Sequence, residues 1–384
     1  MLNETIARLV PAPRSSFFLF GPRGSGKSTW VRGQFPGATR VDLLDEALYQ
    51  DLLARPGLFA DLLRDVAAAT WVSVDEVQRL PQLLHDVHRL IEERRLKFVL
   101  TGSSARKLKR AGVNLLGGRA VRRTMSPFLP QELGHRFELG SALRFGTLPV
   151  VLASESPTDT LRAYAQAYLK EEIQAEALTR NLPGFARFLP VAGIFHGQVL
   201  NVSSLARDAG VARTTVNDYV DILEDTLLAF RLPAFETKLR ARERRHPKLY
   251  WIDPGLVRAV KRQLGPVAAE EVGPLFEGLV AVMLRTWGEY FELFDDIGYW
   301  ASGSGVEVDF ILSRGKRRLA IEVKSSERLR PEDTRGLDAL KDLAGLARRL
   351  LVYRGRRRFV TESGIDVLPF EALVRELSDD RLWP

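Results

Sequence analysis

Along this chain, short and almost wholly apolar runs alternate with longer stretches in which apolar residues recur at helical spacing. Phe17–Phe20, Trp71-Val72-Ser73-Val74 and Lys97-Phe98-Val99-Leu100 are too short for helices and read as strands of a buried parallel sheet. Leu161, Tyr164, Ala165, Tyr168, Leu169 and Ile173 share one helical face, with Lys170, Glu171 and Glu172 interspersed, which predicts a helix over 158–180. Asn181-Leu182-Pro183-Gly184 reads as its break, with a new unit beginning near Phe185. Asn201 to Val211 reads as a short capped helix ending at a glycine turn, and a second helix starts at Arg213 with Val216, Val220 and Leu223 inward. Leu227–Leu232 and Lys248–Ile252 read as a β-hairpin. After Pro274, Phe276–Leu284 forms an apolar helix carrying Glu277, followed by strands over Gly305–Leu312 and Leu319–Ser326.

The first run leads directly into Gly21-Pro22-Arg23-Gly24-Ser25-Gly26-Lys27-Ser28-Thr29, a phosphate-binding loop in its required position after a strand. Gly24 and Gly26 let the backbone wrap close to phosphate, so that N–H groups and the next helix N-terminus face its charge. Lys27 is placed to reach the β and γ phosphates of ATP, Ser28 to hold Mg²⁺ and Thr29 to touch the α phosphate. The second run ends in Asp75-Glu76, which reads as a Walker B pair. Asp75 serves the metal and Glu76 polarises the attacking water. The third run ends in Thr101-Gly102-Ser103-Ser104, whose small polar groups suit a γ-phosphate sensor, Ser103 among them; ordinary turn residues have the same composition.

With Leu115-Leu116-Gly117-Gly118-Arg119, Pro127-Phe128-Leu129-Pro130-Gln131-Glu132-Leu133 and Phe145-Gly146-Thr147-Leu148-Pro149, these motifs resemble a widespread prokaryotic group of AAA-type ATPases with a largely uncharacterised C-terminal half. The resemblance covers nearly the whole chain. It implies a homo-oligomer, a hexameric ring, in which Arg119 acts as an arginine finger on the neighbouring subunit's nucleotide, with Arg122 and Arg123 as rivals. Solvated arginines would look the same in sequence.

The middle segment is laid out as in winged helix-turn-helix proteins. Arg213 and Asn217 project from the second helix, and the hairpin encloses a basic segment with Arg242, Arg244 and Arg245, suited to DNA phosphates. Asp218 and Asp221 count against a helix buried in a major groove, and such modules also dock proteins. Farther on, Asp309 and the Glu322-x-Lys324 pair are arranged as in PD-(D/E)xK nucleases, with Glu277 as the accessory acid. Asp309 and Glu322 would share a divalent ion, with Lys324 beside the water. Such folds also persist as inactive binding modules. Arg354-Gly355-Arg356-Arg357-Arg358 either lines the same DNA path or solvates a turn.

The expected fold is therefore α/β: an AAA-type P-loop ATPase core over 1–140, a helical lid over 141–184, a winged helix-turn-helix over 185–253 and a restriction-endonuclease-like α/β domain over 254–384. The chain length of 384 residues fits several domains, and a net charge of +8 fits a polyanionic partner without identifying one. No cysteine occurs, which removes disulfides and thiolate chemistry. No apolar run is long enough to span a bilayer, and Glu4 and Arg8 fall where a signal peptide needs apolar residues, so a cytoplasmic location is expected. Three functions are consistent with this reading: an ATP-driven motor that remodels or translocates DNA, branched DNA included; an ATP-gated metal-dependent nuclease; and a nucleotide-switched protein-docking scaffold.

Overall fold

The computed structural model describes residues 6–104, 106, 108, 116–168, 181–235 and 246–384. Its N-terminal sheet contains β1 (Phe17–Phe20), β2 (Thr39–Asp42), β3 (Trp71–Asp75), β4 (Lys97–Gly102) and β5 (Val121–Thr124), all parallel, in the order β2-β3-β4-β1-β5. Helical crossovers cover both faces of the central strands β1, β3 and β4, which are largely apolar rather than alternating, whereas the outer strands β2 and β5 carry polar, exposed residues. Phe17, Leu19 and Val99 pack with Trp30 and Val31 of helix Lys27–Gln34. Phe18, Phe20, Val72, Val74, Phe98 and Leu100 pack on the opposite face with Leu52, Phe59, Leu84 and Val87. A parallel sheet brings the ends of β1, β3 and β4 to one edge, and the three motifs meet there.

Helices Leu139–Phe145, Pro149–Leu152 and Pro157–Ala163 follow, the last passing into a wider π turn over Tyr164–Tyr168. The rest of the helix expected over 158–180, including Leu169, Lys170, Glu171, Glu172 and Ile173, lies outside the described residues, as does Leu115. Asn181 to Gly184 starts a helix: Asn181 Oδ1 accepts the Gly184 N–H at 2.9 Å and caps helix Leu182–Ile194. Pro183 sits in the first turn, where a missing N–H costs nothing.

Next come β6 (Gln198–Val199), helices Val202–Ala209 and Arg213–Asp225, then β7 (Ala229–Leu232) and β8 (Lys248–Trp251). The strands form an antiparallel sheet in the order β6-β8-β7, with Leu232 opposite Lys248. Arg242, Arg244 and Arg245 lie outside the described residues.

The long helix Ala269–Phe291 begins before Pro274 and carries it inside, contrary to the start expected after that proline. Burial of Leu275, Phe276, Leu279, Val280, Met283 and Leu284 outweighs the roughly 3 kcal/mol that an internal proline costs. The final sheet contains β9 (Asp296–Ala301), β10 (Glu307–Arg314), β11 (Arg317–Lys324), β12 (Leu346–Tyr353), β13 (Phe359–Val360) and β14 (Asp366–Pro369), in the order β13-β14-β12-β11-β10-β9. β10 runs antiparallel to both β9 and β11, whereas β12 is parallel to β11. One continuous core runs from Phe17 through Tyr219 and Trp251 to Phe310 and Trp383. The chain leaving β7 also joins the last sheet: the Tyr299 N–H donates to the Pro233 carbonyl at 3.0 Å, and the Phe235 N–H to the Tyr299 carbonyl at 2.6 Å. Among the described residues no helix is long and apolar enough to cross a membrane.

Candidate functional site

The loop after β1 turns at Gly24 (φ +75°) and Gly26 (φ +89°), a left-handed conformation that side chains resist. Helix Lys27–Gln34 then begins at once, with the Trp30 N–H donating to the Gly26 carbonyl at 2.9 Å. Lys27 is buried, and its Nζ lies 2.8 Å from the Gly21 carbonyl and 3.2 Å from that of Pro22, so its ammonium is folded over the loop it would serve. Ser25 Oγ is buried without a hydrogen-bond partner among the described residues.

Ser28, on that helix, donates to Asp75 Oδ2 at the end of β3 at 2.5 Å. The Thr101 hydroxyl, at the end of β4, donates to Asp75 Oδ1. Three hard oxygen groups from three elements thus converge, the donor set that Mg²⁺ prefers. Glu76 follows in the left-handed region (φ +56°), held there by an N–H bond to Thr101 Oγ1 at 3.3 Å. A strained residue next to a hydroxyl and carboxylate cluster is typical of a working site.

Residues that the sequence reading did not select complete the assembly. Gln78 is buried; its Nε2 donates both to a Glu76 carboxylate oxygen and, at 3.0 Å, to Ser103 Oγ. Ser103 therefore meets Gln78, while Thr101 touches the metal-type carboxylate. Gln78 fits because position 102 is glycine: a Cβ there would lie 2.4 Å from Gln78 Oε1. Gly102→Ala is expected to displace Gln78, release Glu76 and lower ATP turnover by about 10²-fold with ATP affinity retained, since an ångström of misplacement costs that much; phosphate release beside equilibrium ATP binding checks it.

The outside of the loop is braced as well. Arg8, almost wholly buried, donates to the Ser25 carbonyl at 2.8 Å, to that of Ser126, and to Glu132 Oε1 at 3.0 Å. The Val150 N–H donates to the Gly24 carbonyl at 3.2 Å, and the Tyr164 hydroxyl to that of Arg23 at 2.9 Å. Asp253 is buried completely and accepts from the N–H groups of Thr147, at 2.6 Å, and Leu256, at 2.9 Å, so the segment on the loop is tied to the end of β8. Burial pushes its carboxyl up to about 6 despite these donors. None of these partners has a local sequence signature.

Arg119 stands exposed, paired with Glu92 on helix Leu83–Arg94, and Arg122 and Arg123 lie along the edge strand β5. Arg213 and Asn217 are exposed on helix Arg213–Asp225. Arg358 pairs with Asp366 and Glu376, so part of the basic segment near the end of the chain is neutralised within the fold.

A second polar centre lies between the long helix and the last sheet, and here Glu277, Asp309, Glu322 and Lys324 do come together. Lys324 Nζ is 2.6 Å from Glu322 Oε1, and Asp309 Oδ2 accepts the Val323 N–H at 2.8 Å. The register of β9 on β10 shifts between Val308 and Ile311, a bulge of the kind that re-aims side chains, and it brackets Asp309. The unexpected member is Lys248 of β8. Its Nζ lies 3.1 Å from Glu277 Oε1 and 3.5 Å from Asp309 Oδ1 and also bonds Glu307, while the Tyr250 hydroxyl donates to Glu277. Burial alone would lower the Lys248 pKa, but the three acids outweigh it and hold the ammonium above its usual range. Burial and Asp309 push Glu277 up to about 7, against the pull of Lys248 and Tyr250. The expected sharing of a metal by Asp309 and Glu322 meets a cation already supplied by the chain: among the described residues no group of three or more acids or histidines is spaced to hold a metal ion.

Comparison with known proteins agrees with the nucleotide-binding geometry. Residues 13–134 match an AAA domain, so the N-terminal third of the chain is similar to AAA-type ATPase domains. Residues 137–266 and 272–373 match two domains of unknown function, DUF8612 and DUF4143. Over 375 residues the chain is 26% identical to Uncharacterized protein Rv2008c of Mycobacterium tuberculosis and, equally, to Uncharacterized protein Mb2031c of Mycobacterium bovis, covering 95% of this chain and 82% of either relative. Among solved structures, protein VC1899 from Vibrio cholerae aligns over 95% of this chain and 96% of its own at 16% identity and a TM-score of 0.24. A signal-transduction ATPase with a tetratricopeptide repeat sensor, PH0952 from Pyrococcus horikoshii, aligns over 71% of this chain and 43% of its own at 11% identity and a TM-score of 0.21. Neither superposition is close enough to bear on the fold or the function.

Proposed function

We propose that this chain is an ATP-hydrolysing AAA-type motor that binds DNA and remodels or translocates it. The observation that carries the ATPase part is the convergence of Ser28, Asp75, Thr101 and Glu76 beside the glycine loop, in a chain whose first third matches an AAA domain. Loop N–H groups and Lys27 bind the phosphates, and Ser28 and Asp75 hold Mg²⁺. When bound, Mg²⁺ offsets phosphate charge. Glu76, positioned by Gln78 and Thr101, orients and polarises water. Arg119 would supply trans charge in a hexameric ring, and its solvent-exposed bond to Glu92 is weak enough to exchange.

DNA binding is supported by the winged-helix order of residues 181–251, helix, strand, two helices and two strands, with Arg213 and Asn217 outward on the second of the paired helices. The basic segment between β7 and β8 adds phosphate-directed charge. The experiment is ATP turnover with no DNA and with single-stranded, duplex and four-way-junction DNA, followed by recovery of the strands. Stimulation with intact strands is expected. Turnover indifferent to every DNA would replace this reading by the nucleotide-switched docking scaffold. Replacing Arg242, Arg244 and Arg245 together by Ala should weaken DNA binding and flatten its log–log salt dependence by about 2–3 counter-ions, read by anisotropy titrations at several salt concentrations.

The nuclease reading keeps one favourable observation: Glu277, Asp309, Glu322 and Lys324 are gathered between the long helix and the strands β10 and β11 of a mixed sheet. Strands recovered cut, with cleavage lost on Asp309→Ala, would promote it.

A further inference from the structure

We propose that Lys248 is a built-in counter-ion that keeps the acid centre of the last sheet closed to divalent metal, so that metal enters only when β8 withdraws the lysine. This inference is independent of the ATPase reading.

Lys248 belongs to the hairpin of the middle module, whereas the acids it meets come from the long helix and β10 of the C-terminal module. Its side chain is only 4% exposed and its ammonium touches Glu277, Glu307 and Asp309 together. A buried lysine needs that many acceptors, because its desolvation is costly unless paired. A divalent ion at the same point would use the same oxygens, so lysine and metal exclude each other by charge and by space.

Glu322 carries the second observation. It is 7% exposed, its Oε1 bonds Lys324, and its Oε2 is buried with no hydrogen-bond partner among the described residues. That orphaned oxygen is expected where the resident ammonium satisfies one side of the acid cluster and leaves the other short of positive charge.

β8 is held at both ends. Beyond Trp251 it leads to Asp253, which bonds the segment covering the phosphate-binding loop; before Lys248, the His246 carbonyl accepts the Tyr299 hydroxyl at 2.6 Å. The lysine is therefore seated by the docking of two modules, and a shift of the hairpin root against β9 would withdraw it.

The test uses the full chain and Mn²⁺ as probe, with titration calorimetry and thermal melts of wild type, Lys248→Met, Lys248→Gln and Lys248→Arg, each also carrying Asp309→Asn. Wild type and Lys248→Arg are expected to show no Asp309-dependent Mn²⁺ uptake up to about 1 mM, the weak end of ordinary divalent sites. Lys248→Met and Lys248→Gln are expected to gain one site and a Mn²⁺-dependent rise in Tm, both lost with Asp309→Asn. Asp309-dependent binding in wild type with Lys248 in place would overturn the proposal. So would failure of both neutral variants to take up Mn²⁺, whether it is supplied before or after folding.

Discussion

Glu76→Gln is expected to bind ATP as wild type does and to lose turnover by about 10²- to 10⁴-fold, the usual contribution of a positioned base. The substitution keeps size and leaves an oxygen for Gln78 Nε2, so the link to Ser103 survives and the loop after β1 is untouched. What disappears is the carboxylate proposed to polarise water. Lys27→Ala separates the two tasks from the other side: its ammonium sits against the loop carbonyls at 2.8 and 3.2 Å, poised for phosphate, and its loss should remove ATP binding itself. Phosphate release and binding of a fluorescent ATP analogue, measured on both variants, give the contrast. Normal turnover in Glu76→Gln would assign the base elsewhere; ATP affinity unchanged in Lys27→Ala would mean that the loop grips phosphate through its backbone alone.

The second large effect belongs to Asp253. Asp253→Ala leaves the buried N–H groups of Thr147 and Leu256 without acceptors and strips the cap from helix Pro254–Val260, a loss of about 2–4 kcal/mol. The sign of its pH dependence is fixed by the raised carboxyl, which moves from the ordinary 3.8 to about 6 because the group is buried. Between those values the folded protein keeps a proton that the unfolded chain releases, so the Asp253 contribution to stability is full below about pH 4 and falls as pH rises through 6. The cost of Asp253→Ala, measured by urea melts, should therefore be larger at pH 5 than at pH 7. A cost constant across that range would mean that the carboxyl is not titrating there. ATP affinity should weaken too, because Thr147 adjoins Val150, whose N–H bonds the Gly24 carbonyl on the phosphate-binding loop. Gly146 shows how tightly this joint closes: a Cβ there would lie 1.9 Å from Asp253 Oδ1.

The nucleotide site was legible in the sequence because its chemistry is local. Gly21 to Thr29 is one unbroken segment whose glycines turn, and whose lysine folds, within the loop itself, and Asp75-Glu76 and Thr101 to Ser104 each end an apolar run that can only be a buried strand. Strand alternation likewise placed Glu322 and Lys324 on one face, with Asp309 on the neighbouring strand. Helix boundaries were less legible. Asn181 to Gly184 has the composition of a break and of an N-terminal cap alike; the cap is seen, and the helix it starts is held by the packing of Phe185 and Phe188 against Tyr219. Pro274 would end an isolated helix, but the apolar core around Phe276 and Met283 carries the helix through it.

By itself, then, the sequence determined the phosphate loop, the two carboxylates beside it, the strands that bring them to one edge and the acids of the last sheet, since each depends on neighbours in the chain or on strand period. Tertiary structure alone decided the braces and the counter-ion. Arg8 reaches Glu132 across 124 positions, Thr147 reaches Asp253 across 106, and Lys248 enters an acid centre built by a different module. No local propensity encodes such pairings: a buried charge or N–H is satisfied by whichever partner the packed fold brings within reach, and that partner is fixed only when the modules dock.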